Sequence, residues 1–127
     1  MQDRQLFEYA VIRVVPRVER EEFLNVWVIV YCAKQKFLKS VFVLDEGRLR
    51  AFAKDIDIQA VKENLTAFTR LCAGGKDGGP IGELDLASRF RWLTAMRSTV
   101  LQTSRVHPGL CADAEDKLNS LLVEQVL

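Results

Sequence analysis

One histidine, three cysteines and three prolines are all that the 127 residues hold of those types, and their scarcity removes whole classes of function. The cysteines, Cys32, Cys72 and Cys111, stand far apart with no C-x-x-C pair, and His107 is the only imidazole. A structural zinc takes about four nitrogen or sulfur ligands at short spacings, so zinc is excluded and no cofactor is expected. Each cysteine borders an apolar run, which predicts small buried thiols that stay free in a reducing compartment. Charge of one sign is also lacking: the formal net charge is +1, without the basic excess of a dedicated nucleic-acid-binding domain. No apolar run approaches the ~20 residues that cross a bilayer. The opening Met1-Gln2-Asp3-Arg4-Gln5 has no apolar core, so no secretory signal is expected, and the cytoplasm is the expected compartment.

What is present is the composition of a globular protein, 49% hydrophobic and 28% charged residues, with no internal repeat. The length fits a single domain over residues 1–127, which buries roughly two-thirds of its unfolded surface without disulfides or metal. The first third reads as strands. Leu6–Val15 and Phe23–Cys32 are rich in β-branched and aromatic residues and apolar on both sides, which predicts central strands covered on two faces. Pro16–Glu22 is a charged hairpin connection, and Ala33–Lys36 leads to a third run, Phe37–Leu44, where Lys39 suits a sheet edge. Short loops between successive strands predict an antiparallel meander.

The period then changes. Asp45 is placed to cap a short helix with Leu49, Phe52 and Ala53 on one face. Asp57 is placed to cap a longer one, in which Ile58, Val61, Leu65, Phe68 and Cys72 recur at helical spacing until Gly74-Gly75 ends it. A glycine-rich connector, residues 74–82, precedes a helix from about Leu86 to Ala95. Ser98–Thr103 reads as a fourth strand, Pro108-Gly109 as a turn, and a last helix from about Ala114 carries Leu118, Leu121 and Leu122. The fold expected is α+β, an antiparallel sheet of three or four strands packed with helices.

Four features invite a chemical reading. The glycine connector lies between two helices and its Gly-Lys is followed by Asp77, so the G-x-x-x-x-G-K-[ST] phosphate loop is absent and a structural connector is preferred. Arg13 and Asn25 interrupt apolar strands, and a hairpin pivoting near Glu19 sets them opposite one another with Glu22 close by. A buried guanidinium must be paired, which predicts a structural cluster with Glu22 or Glu21. The alternatives are a ligand pocket, or an arginine near the sheet end with its head in water. The stretch Arg89, Arg91, Arg97, Arg105 and His107 offers planar forks for an anion or acidic partner, or else a solvated face balanced by nearby carboxylates. His107 could act as a base for Ser98, Ser104 or Cys111, yet no G-x-S-x-G elbow occurs, and an enzyme is the minority reading.

Read in order, Tyr9–Pro16 (YAVIRVVP), Glu22–Val26 (EFLNV), Gly79-Pro80-Ile81, Phe90–Ala95 (FRWLTA), Arg97-Ser98 and Val106–Gly109 (VHPG) resemble the bacterial domain-of-unknown-function family numbered 3037, over nearly the whole chain. The resemblance implies no assigned activity. It directs attention to Arg13, Glu22, Asn25, Arg91, Trp92, Arg97 and His107 as binding positions. Genes of the family often lie beside a HipA-like kinase, so the resemblance implies a non-catalytic partner or accessory of such a kinase, in a toxin–antitoxin setting; it is also compatible with a homodimer. The rival is a small enzyme or phosphate-binding protein using Arg13, Arg91, Arg97 and His107. Relatives carry glycine where this chain has Trp27, and many carry proline at Met96; Trp27 is therefore expected to fill any space beside Asn25.

Overall fold

The computed structural model describes residues 4–15, 24–52, 54–75, 78–95 and 101–127, together with the backbone but not the side chain of Phe52. Strand β1 (Gln5–Val14) lies at the centre. It pairs antiparallel with β2 (Leu24–Cys32), which pairs antiparallel with β3 (Phe37–Phe42), so the meander read from the sequence is present. Cys32 and Phe37 face each other across the Ala33–Lys36 turn, closed by Lys36 N–H donating to Ala33 O at 3.1 Å. Lys39 does lie on an edge strand, where it pairs with Glu115 at 2.8 Å.

Arg13 registers opposite Asn25, as the expected pivot requires. From Ile12↔Trp27 to Arg13↔Asn25, β1 advances one residue while β2 advances two, leaving Val26 as a bulge. A bulge residue breaks the strict alternation of side chains. Val26 and its neighbour Trp27 consequently enter the same core, while Asn25 and Val28 turn to the other face.

The other edge of β1 carries two short strands in sequence, β4 (Leu101–Thr103) and β5 (His107–Cys111). The sheet therefore has five strands, one more than the largest number expected. Pro108-Gly109, expected as a turn, form none and sit inside β5 opposite Glu8 and Phe7. Proline is tolerated because β5 is an edge strand, where a missing N–H can face away from the sheet. Gly109 is required because a Cβ there would come within 2.7 Å of the Phe7 ring, which covers the glycine. Of the expected strand over Ser98–Thr103, only Leu101–Thr103 falls within the described residues.

Helices close both faces, as the two-sided apolar strands require. On one side lie α1 (Glu46–Phe52), α2 (Ile58–Ala73), the single turn α3 (Gly79–Gly82) and α4 (Leu86–Ala95). The five residues read as the inner face of α2 are its buried residues, and with Leu49, Phe90, Leu93 and Trp27 they form one core. Asp45 and Asp57 cap α1 and α2 by accepting from Arg48 and Ala60 N–H, each at 3.0 Å. Gly74 ends α2 at φ 82°, a left-handed conformation glycine adopts without Cβ strain. On the opposite side α5 (Ala114–Gln125), capped by Asp113, covers a second core of Phe7, Val28, Val30, Cys32, Leu118 and Leu121.

Candidate functional site

On the α5 side of the sheet, strand alternation and register line up Tyr9 and Arg13 of β1, Asn25 of β2, Gln102 of β4 and His107 of β5. Arg13 is half-buried, flanked by Asn25 and Gln102. Its expected partners Glu21 and Glu22 lie outside the described residues. Asn25 works on the fold: its Nδ2 donates to Gln125 O at 2.8 Å, and Arg48 Nη1 donates to Val126 O at 3.4 Å, so two side chains satisfy carbonyls at the end of α5. Trp27 does not occupy the space beside Asn25. The bulge sends it into the opposite core, 1% exposed and stacked on Phe68 with centroids 5.6 Å apart.

His107 is exposed and its ring lies 5.1 Å from that of Tyr9, its register partner; Tyr9 in turn stacks on Phe7 at 6.0 Å, and Lys117 sits 5.6 Å above Phe7. This row gives His107 a packing partner but no nucleophile. The Ser104 hydroxyl is already committed, accepting from Val11 N–H and donating to Arg105 O, both at 2.9 Å. Burial pushes the Cys111 thiol up in pKa, and the neighbouring Cys32 thiol adds to the shift, which disfavours the thiolate that nucleophilic attack needs. Ser98, the remaining candidate, lies outside the described residues. All three cysteines are free and buried, and the Cys72 thiol is likewise raised by burial. Among the described residues no three His, Cys, Asp or Glu side chains cluster as a metal site.

Arg91 and Trp92 belong to α4, on the other side of the sheet. The β-sheet therefore stands between them and the His107–Arg13 row, and the two groups do not converge. Arg91 is exposed, while Trp92 is half-buried against the larger core. Arg97 is outside the described residues. Arg89, two positions before Arg91, turns inward instead. Its guanidinium donates to Leu84 O at 2.6 Å and Cys72 O at 3.5 Å and lies against Gly74, where a Cβ would come within 2.9 Å of Cζ. A cation on the carbonyls at the end of α2 also complements the helix dipole. The glycine connector is closed by Gly75 N–H donating to Gly82 O at 2.8 Å, so these backbone groups bind one another. That arrangement fits the structural reading of the connector.

Three residues that organise these sites carried little signal in the sequence. Ser104 has its hydroxyl where the outer strand slips register. Between Thr103↔Ile12 and His107↔Tyr9 that strand advances four residues while β1 advances three, and the hydroxyl replaces a backbone acceptor for Val11. Gln35, in the β2–β3 turn, donates to Gln5 Oε1 and Ala112 O and accepts from Ala114 N–H, each at 2.9 Å, tying β1 to the start of α5. Arg89 is the third. A lone serine or glutamine in a polar stretch is ordinary, and only the arginine pair Arg89/Arg91 hinted at two directions, because residues two apart on a helix do not share a face.

No helix among the described residues is long and apolar enough to cross a membrane. Neither the curated proteins nor the solved structures provide a match to the chain. A family model described as a protein of unknown function, DUF3037, matches residues 9–126, from Tyr9 in the central strand to the end of α5. That span takes in all of the larger core, all of the smaller one but Phe7, and part of every strand pairing, and the chain belongs to the DUF3037 family.

Proposed function

We propose that this protein is a non-catalytic interaction module whose contact surface is centred on α4. The observation that carries the reading is the contrast between Arg91 and the other polar residues singled out by the sequence. Arg89 and Asn25 each donate to backbone carbonyls of the fold. The Arg91 side chain is exposed, donates no hydrogen bond among the described residues, and adjoins the half-buried Trp92. An arginine fork beside a partly exposed aromatic ring is a combination enriched at the anchor points of protein interfaces. Arg97 is assigned to the same surface from its place in the sequence. The partner suggested by the family resemblance is a HipA-like kinase, acting in the cytoplasm in a toxin–antitoxin setting. The rival, a phosphate-binding site or small enzyme, needs Arg91 and His107 in one concavity, and the intervening sheet counts against it.

Titration calorimetry of the double variant Arg91→Ala/Arg97→Ala against the co-encoded kinase tests the reading. Affinity should fall at least ~10-fold, about 1.4 kcal/mol, with the fold intact, since an exposed charge such as Arg91 contributes little to stability. Wild-type affinity in a folded double variant removes α4 as the contact surface.

A further inference from the structure

We infer that the Leu6–Leu110 patch of the sheet is a self-association surface, occupied by a second copy of this chain. Leu6 of β1 and Leu110 of β5 are register partners, so their side chains emerge side by side on the face that also carries Ala10 and Ile12. Ala10 and Ile12 are buried in the larger core, but Leu6 is 58% and Leu110 61% exposed. Pro108, next along β5 on the same face, is exposed too. Adjacent leucines raised on a rigid sheet are unlike apolar residues scattered singly, which need no explanation.

The flanking charges identify the occupant. Alternation along β1, extended back by one residue, sets Arg4, Leu6 and Glu8 in a line: basic, apolar, acidic. Arg4 is exposed, Glu8 is half-buried, and neither forms an ion pair among the described residues. Two such faces related by a twofold axis perpendicular to the strands place leucines on leucines. The same operation sets each Arg4 against Glu8 of the other copy. Self-complementarity of this kind is the defining property of an isologous contact. Edge-to-edge strand pairing is not the mode, since Pro108 offers β5 no N–H at that position. A patch of this size belongs with interfaces below ~1,200 Å², so the dimer is weak and concentration-dependent.

This surface involves neither the kinase nor α4, and the protein alone is enough to test it. Sedimentation velocity over a roughly hundredfold range of protein concentration should show the average mass rising from one chain towards two. Leu6→Asp should hold it at one chain throughout. Arg4→Glu and Glu8→Arg should each weaken association roughly tenfold, because two symmetry-related attractions become repulsions. The equimolar mixture of those two variants, and the double reversal Arg4→Glu/Glu8→Arg, should restore it. A monomer at every concentration overturns the inference. So does a dimer indifferent to Leu6→Asp, or charge reversals that are not rescued by one another.

Discussion

On one face of the sheet, α2 and α4 bury a broad core around Trp27, Leu65, Phe68 and Phe90, while on the other α5 is the one helix among the described residues that closes a smaller core around Val28, Val30 and Leu118. The broad face is held mainly by apolar contact. The narrow face has fewer side chains to bury and is tied at its margins by polar links. Asn25 bonds to the end of α5, Gln35 to its beginning, and Lys39 pairs with Glu115. A helix that covers a sheet alone depends more on where its ends are fixed, because it has no neighbouring helix to wedge it in place. The surfaces differ in consequence. The broad side ends at α4 with Arg91 exposed, whereas Asn25, Gln35 and Lys39 of the narrow side are engaged with α5.

The largest expected effect sharpens that contrast. Trp27→Ala removes the ring stacked on Phe68 and should cost about 3–5 kcal/mol, and Leu118→Ala under α5 about 2–5 kcal/mol. Urea unfolding measures both. If α5 is secured chiefly by its margins, Leu118→Ala should fall in the lower half of its range; a cost exceeding that of Trp27→Ala would break the comparison. Next comes Ser104→Ala, which strips the buried Val11 N–H of its acceptor and should cost about 1–3 kcal/mol. A melting temperature equal to wild type would show that the hydroxyl is dispensable at the register slip.

The helix caps give smaller effects with a regional readout. Asp57→Ala and Asp113→Ala each remove a side-chain acceptor from a helix start, at a cost of about 0.5–2 kcal/mol. Amide hydrogen exchange should rise over α2 in the first variant and over α5 in the second. Equal loss of protection on both faces in either variant would mean that the two sides open together.

Acid provides the smallest effect, confined to the broad side. The Lys62 ammonium, bonded to Glu46 at 2.7 Å between α1 and α2, holds the Glu46 carboxyl below the usual carboxylate range. Because the folded value is the lower one, the stabilisation is present above that range and is lost as pH falls through it. Lys62→Met should move the Glu46 titration upward, followed by carboxyl-carbon NMR. The Asp85 carboxyl, held low chiefly by the Ser88 backbone N–H at the start of α4, should not move with it.

The sequence alone determined the parts of this protein that depend on near neighbours. Helical spacing marked the buried residues of α2, because a side chain three or four positions away lies on the same face whatever the rest of the chain does. Asp45 and Asp57 were readable as caps because their partners are three residues along. The β1–β2 pivot was readable because two polar residues in two apolar runs fix a register. Tertiary structure alone decided which groups meet. Arg91 and His107 stand sixteen residues apart in sequence and on opposite sides of the sheet. The Val26 bulge parts Trp27 from Asn25, and pairing with Glu8 and Phe7 makes Pro108-Gly109 part of a strand instead of a turn. The deciding contacts, Val11 with Ser104 and Asn25 with Gln125, join positions 93 and 100 residues apart. Local periodicity and capping act within a turn or so of the chain, so they cannot encode which distant backbone will supply the missing acceptor.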